Sequence, residues 1–216
     1  MQSLSSGKSI DLKARASTLG IIPVCLLIGL VPTRTQATGG ILPGDGTATS
    51  PYLVSDYADL AMVARGRYSD SAVYRIVADI DASPSDTANA DSGFRPINLN
   101  ASYHGGSFHG SGHVIRNLSI HRSQSQCGLF AFLGSGSVVD SLGLEGGAIV
   151  AGGDSYFGQT WVGGLVGYNA GSIVDCYSTL SVSGDSAAGY VGGLVGYNVG
   201  QIRSSWSGGA VACELH

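Results

Sequence analysis

The octapeptide Val162-Gly-Gly-Leu-Val-Gly-Tyr-Asn169 returns letter for letter as Val191-Gly-Gly-Leu-Val-Gly-Tyr-Asn198, 29 residues later. Carried forward, the same offset sets Ile173 on Ile202, Tyr177 on Trp206 and Val182 on Val211, while Val174 meets Arg203 and Ser172 meets Gln201. Apolar positions keep their type and the others drift. This is the pattern of stacked coils in a solenoid, where each coil covers the apolar face of its neighbour and only inward positions are constrained.

Weaker echoes extend the repeat backwards. Phe108-His-Gly-Ser-Gly-His-Val-Ile115 aligns with Phe132-Leu-Gly-Ser-Gly-Ser-Val-Val139 at an offset of 24, which places Ile120 on Leu144. Gly128-Leu-Phe130 reads as a variant of Gly164-Leu-Val166. The 34 glycines, the scarcity of charge and the 44% hydrophobic content fit a β-rich, turn-rich fold, neither collagenous nor disordered.

Residues 1–37 have the layout of an export signal. Lys8, Lys13 and Arg15 precede the apolar run Leu19 to Val31, and Thr35-Gln-Ala37 offers a small-residue cleavage site. The run is shorter than the roughly 20 residues a membrane-spanning helix needs. Beyond residue 38 there are seven arginines, no lysine and fourteen carboxylates, a formal charge of −7. Such a surface repels phosphate backbones, so no nucleic-acid partner is expected.

Gly44-Asp-Gly-Thr-Ala-Thr-Ser-Pro-Tyr-Leu-Val54 reads as a turn and a short strand. Ser55 is the expected N-cap of a helix over 57–64 that stops at Gly66 and covers the open end of the coil. Ala72 to Ile80 alternates as the first long strand, and Ser83 to Ser92 reads as a polar excursion. The expected organisation is an export signal at 1–37 and a β-helix domain at 38–216. Within it, 42–103 supply the N-terminal cap and first strands and 104–216 the repeat coils, the last two at 162–190 and 191–216. The final residues show no cap, so the expectation is either a fragment of a longer chain or an end covered by a partner, for instance by end-to-end packing at that coil.

Gly-Gly-Leu-Val-Gly-Tyr-Asn, followed by Ile-x-x-Cys-Tyr-Ser in the first copy, resembles the GLUG repeat of large bacterial surface and secreted proteins. These include adhesins of the filamentous-haemagglutinin type and the non-catalytic parts of immunoglobulin A peptidases. The segments ahead of the repeat are similar too: Gly44 to Val54, Asp59-Leu60, Ala78-Asp-Ile-Asp81, Phe94-x-Pro-Ile97 and Phe108 to Ile120. One departure is His109-Gly-Ser-Gly-His113, where similar proteins carry Asp-Gly-Asn-Gly-His. The resemblance implies an all-β fold, a right-handed parallel β-helix with a short N-terminal capping helix, in a secreted or cell-surface protein. It implies no reaction.

Candidate sites are few. Asn169 and Asn198 would stack about 4.8 Å apart and hydrogen-bond as an amide ladder. Tyr177 over Trp206 would form a stacked pair that could also receive a sugar. His104, His109, His113 and His121 crowd together without the spacing of a metal-ligand motif, so no metal or cofactor is expected. Asp140 and Asp175 fall on equivalent positions of neighbouring coils and are the carboxylates a polysaccharide lyase or hydrolase would need, but the following coil has Ser204 there. Cys127, Cys176 and Cys213 allow at most one bridge, and Cys176 reads as a small buried residue. The function expected is therefore non-catalytic. The chain reads as an extracellular module that attaches to or displays loops toward a host or cell-surface protein or glycan, with the segment 151–160 as its variable contact surface. The alternatives are a carbohydrate-active enzyme and an accessory segment of a larger secreted peptidase.

Overall fold

Residues that alternate apolar and polar over short runs, separated by glycine and serine corners, can satisfy their backbone groups only by pairing with the coil above and the coil below. The computed structural model describes residues 41–66, 68, 71–99, 105–152, 160–185 and 188–213, and these form a parallel β-solenoid of about four turns. The chain enters through β1 (Tyr52–Val54) and α1 (Tyr57–Ala64). It then winds through β2 (Val73–Ile76), β3 (Ile80–Asp81) and β4 (Ile97–Leu99). The next coil is β5 (Ser107–His109), β6 (Val114–Arg122), β7 (Gln126–Cys127) and β8 (Phe130–Leu133). After it come β9 (Val138–Asp140), β10 (Gly143–Ala151), β11 (Thr160–Gly163) and β12 (Val166–Asn169). The following coil is β13 (Ser172–Val174), β14 (Tyr177–Ser178), β15 (Ser181–Gly184), β16 (Ala188–Gly192) and β17 (Val195–Asn198). The last strands are β18 (Gln201–Arg203), β19 (Trp206–Ser207) and β20 (Val211–Cys213).

Stacking these coils builds four parallel sheets, one per face. The first runs β1-β2-β5-β9-β13-β18 and the second joins β3, β6 and β10 to β14 and β15, then β19 and β20. The third is β7-β11-β16 and the fourth β4-β8-β12-β17. The core is a set of columns, one residue per coil. Tyr74, Phe108, Val139 and Ile173 lie in register on the first face and are buried. Ile120, Ile149 and Val182 do the same on the second. Each such side chain removed from water contributes about 1.5–3 kcal/mol. The columns continue into Ile202 and Val211, which are 38% and 50% exposed because no described strand lies beyond theirs.

The 29-residue offset holds through the final pair of coils from Trp161/Tyr190 onward, after a one-residue slip at Thr160/Ala188. Ile173 pairs with Ile202, Tyr177 with Trp206, Val182 with Val211 and Asn169 with Asn198, and the Leu165 N–H donates to the Leu194 carbonyl at 2.9 Å. The 24-residue offset does not hold. Phe108 pairs with Val139, Ile115 with Leu144 and Ile120 with Ile149. Two Gly-Ser-Gly corners of the same composition serve different bends: Gly110-Ser-Gly112 turns from the first face to the second, and Gly134-Ser-Gly136 from the fourth to the first. The bend from the first face to the second recurs as Ser141, Asp175 and Ser204, at φ of 51°, 51° and 48°. The earlier version spends two extra residues, so the offset falls from 31 at Phe108 to 29 at Ile115.

The repeated Gly-Gly has a steric cause. A Cβ on Gly163 would lie 2.1 Å from the Val166 carbonyl oxygen, and one on Gly192 at the same distance from that of Val195. The third and fourth faces approach each other too closely there for any side chain.

Helix α1 is capped by Asp56 and not by Ser55. The Asp56 carboxylate accepts the Asp59 N–H at 3.0 Å, and Ser55 instead donates its N–H (3.0 Å) and hydroxyl (2.7 Å) to the Asp59 carboxylate. Gly66, at φ 67°, ends the helix by donating to Val63 O. Buried Leu60, Met62 and Val63 anchor it, and it packs against β1 and β4, so it covers the strand with which the fourth face begins. Asn89, Ala90 and Asp91 then take positive φ in succession, a left-handed stretch that costs roughly 1–2 kcal/mol per residue. It is pinned by Gly93 N–H to Ala88 O (3.1 Å) and by the Asn89 amide to Gly93 O (2.7 Å).

Candidate functional site

Parallel coils place one residue of each turn on the same line, so a polar site in this fold is built along the axis. On the second face a slanting chain of contacts runs from Asp79, two positions ahead of the Asp81 that registers with Arg116, through Arg116 and Glu145 to Tyr177, which registers with Gly143, and on to Trp206. Arg116 Nη1 donates to Asp79 at 2.8 Å and its Nε to Glu145 at 3.1 Å. The Tyr177 hydroxyl donates to the other Glu145 oxygen at 2.7 Å, and its ring stacks on Trp206 at 4.9 Å with planes 5° apart. Asp79 also takes His113 Nδ1 at 3.1 Å and the Val114 N–H at 3.2 Å. The Arg116 hydrogen bond, then those of Val114 and His113, hold the Asp79 carboxyl down at about 2. The hydrogen bond to Glu145 raises the Tyr177 phenol.

This arrangement keeps Asp79 ionised and both carboxylates hydrogen-bonded. A glycosidase pair needs one carboxyl raised so that it can donate a proton, and two groups facing across open space. Asp79 and Glu145 instead share one guanidinium on an exposed face. Ion pairs this exposed are screened by water and salt and contribute little to stability.

The expected carboxylate pair does not form. Asp140 registers with His109 on one side and Val174 on the other, and its Oδ2 lies 2.7 Å from His109 Nδ1. Asp175 sits one position further on, in the left-handed corner with Ser141 and Ser204, because the offset between these coils is 34 residues and not 35.

The histidines separate. His109 belongs to Asp140 and His113 to Asp79, His121 is exposed, and His104 lies outside the described residues. Among the described residues no three potential ligands gather. The export segment 1–37 and positions 153–159 of the proposed contact loop likewise lie outside them. Among the described residues Cys127, Cys176 and Cys213 are free thiols. Burial pushes Cys127 up to about 12 and Cys176 up to about 11, and Cys213 is exposed.

The amide ladder is present: Asn169 Nδ2 donates to Asn198 Oδ1 at 2.7 Å, and Asn169 Oδ1 accepts the Gly171 N–H at 3.0 Å. One coil earlier the same position is the buried Leu133.

A second surface escaped the sequence reading. Phe132, Tyr168 and Tyr197 form a column on the fourth face, with ring centroids 5.0 and 5.5 Å apart. Trp161 joins it at 5.0 Å from Tyr168, and Tyr190 at 5.3 Å from Tyr197. Its sequence signal was the aromatic one position ahead of each octapeptide, Trp161 and Tyr190, 29 residues apart.

Comparison with known proteins agrees with this geometry. Residues 158–183 match the GLUG motif. Over 150 residues, 68% of the chain, the sequence is 35% identical to halomucin of Haloquadratum walsbyi, of which the matched part is 2%. The fold is similar to the crystal structure of an immunoglobulin A1 protease-like protein from Bacteroides ovatus. There the TM-score is 0.51 at 22% identity, covering 78% of this chain and 50% of that one. The chain thus spans a small part of the one relative and half of the other.

Proposed function

We propose that this chain, which carries the GLUG motif, is a non-catalytic extracellular module that holds loops at fixed spacing for attachment to a host or cell-surface protein or glycan. The observation that carries this reading is the register. Residues 29 apart pair one to one from Val162/Val191 to Val182/Val211, so conserved chemistry is spent on stacking. The strands β10 and β11, by contrast, are joined by a segment that interrupts the repeat. A stiff coil with one variable insertion suits display, since loops on rigid scaffolds carry recognition. The exposed polar line from Asp79 to Trp206 supports the same reading, because its carboxylates are ion-paired and not poised for proton transfer.

Deleting residues 152–159 is expected to abolish binding to cells or surface glycans while leaving the circular-dichroism spectrum and melting temperature unchanged. A folded deletion variant that still adheres would refute the assignment of the loop. Turnover of a polysaccharide by the intact chain would refute the non-catalytic reading itself.

A further inference from the structure

The cap region holds a cavity of about 370 Å3 between α1 and the left-handed stretch, lined among others by Tyr57, Arg65, Asn89, Phe94 and Arg95. Two of the chain's seven arginines beyond residue 38 thus line one cavity, and no acidic residue lines it. Arg116 on the second face, by contrast, pairs with both Asp79 and Glu145. Among the described residues Arg65 and Arg95 have no carboxylate and no side-chain hydrogen bond.

A third guanidinium stands beside the cavity. Arg122 donates to the carbonyls of Phe94 (2.9 Å) and Gly93 (3.2 Å), neutral acceptors that leave its charge uncompensated. The ring centroids of Tyr57 and Phe94 lie 6.3 Å apart with tilted planes, and Phe94 is buried. The far rim is Ala88 and Asn89, held by Gly93 N–H to Ala88 O and by the Asn89 amide to Gly93 O. The last helical carbonyls, Met62 and Val63, are already taken by the Arg65 and Gly66 N–H groups, so they do not compete for the arginines.

From this geometry we infer that the cavity between α1 and residues 89–95 is a binding site for a small polar ligand bearing a single carboxylate, such as a uronic acid. Guanidinium forks match a carboxylate bidentately, and Tyr57 with Asn89 supplies polar contacts for the hydroxyls of such a ligand. The volume lies at the lower end of small-ligand pockets, which suits one sugar ring. The formal charge of −7 carried by residues 38–216 repels a polyanion as a whole. It therefore selects for one isolated negative group. None of the cavity's lining residues belongs to the β10–β11 segment, so the failure of this site and that of the display reading are separable.

The test is isothermal titration of the full chain with D-glucuronate, with D-glucose as the neutral control and a glucuronate-terminated oligosaccharide as the second arm. Saturable binding of glucuronate, absence of binding by glucose, and a loss of about tenfold or more in Arg65→Gln and in Arg95→Gln are expected. Binding should weaken with added salt, and both variants should melt like the parent. Equal binding of the two arms identifies the carboxylated sugar itself as the ligand, and tighter binding of the oligosaccharide identifies a chain end. No saturable heat up to about 10 mM glucuronate, or equal affinity in the Arg65→Gln/Arg95→Gln double variant, would overturn the inference.

Discussion

Asp79 shows what stacking does to a single side chain. The residue lies just ahead of β3, yet its partners Arg116, His113 and Val114 all come from the next coil, so its ionisation reports whether the two coils are docked. Hydrogen bonds to the charged form depress its folded-state value to about 2, below the ordinary aspartate value of 3.8. A depressed carboxyl contributes its stabilisation above the unfolded value and loses it as pH falls through the folded one. The window of loss is therefore from about 4 down to about 2. A carbon-detected NMR titration should find Asp79 with its midpoint near 2. In Arg116→Gln the midpoint should return toward 3.8, and a parent midpoint already at 3.8 would show that the contact is not made in solution. The exposure of the pair makes this a probe of geometry, with little effect expected on melting.

Among the elements, the bend between the fourth and first faces changes its chemistry along the molecule. Leu133 fills it in one coil and the Asn169–Asn198 ladder in the next two. Removing the buried amide in Asn169→Ala strands the Gly171 N–H and an oxygen of Asn198, at a cost of about 1–3 kcal/mol in urea denaturation. Asn198→Ala, on an exposed residue, should cost less. Equal and negligible losses in both would show that the ladder contributes no stability. This ladder and the Tyr177/Trp206 stack were legible in the sequence because no residue is inserted or lost between the two copies of the octapeptide. Further back, insertions change the offset within a single coil. Gly110-Ser-Gly112 and Gly134-Ser-Gly136 look alike and turn different corners, so aligning them misplaced Ile115 and Val139. The misassigned Asp140/Asp175 pair came from one residue of offset, which in a strand exchanges one face for the other. The line Asp79–Arg116–Glu145 was invisible for the same reason: its members come together only once each coil's length is known. The choice between Ser55 and Asp56 as helix cap turned on a single residue that sequence preference does not separate.

At the scale of the whole solenoid, each coil touches only the next, and recognition is left to what interrupts the repeat. α1 covers one strand at the start of the coil, and the cavity with its unpaired arginines lies beside that cover. The aromatic column Phe132–Tyr168–Tyr197 runs along the coils because register repeats the chemistry of a position, whereas the Asp79–Arg116–Glu145 contacts cross from one position to the next. The most direct test of that register is a methyl NOESY spectrum of the chain labelled at isoleucine, leucine and valine. Cross-peaks should join Ile173 to Ile202, Val182 to Val211 and Ile120 to Ile149. If those pairs show no contact while each residue contacts unrelated positions, the stacked coil does not exist and the display scaffold goes with it.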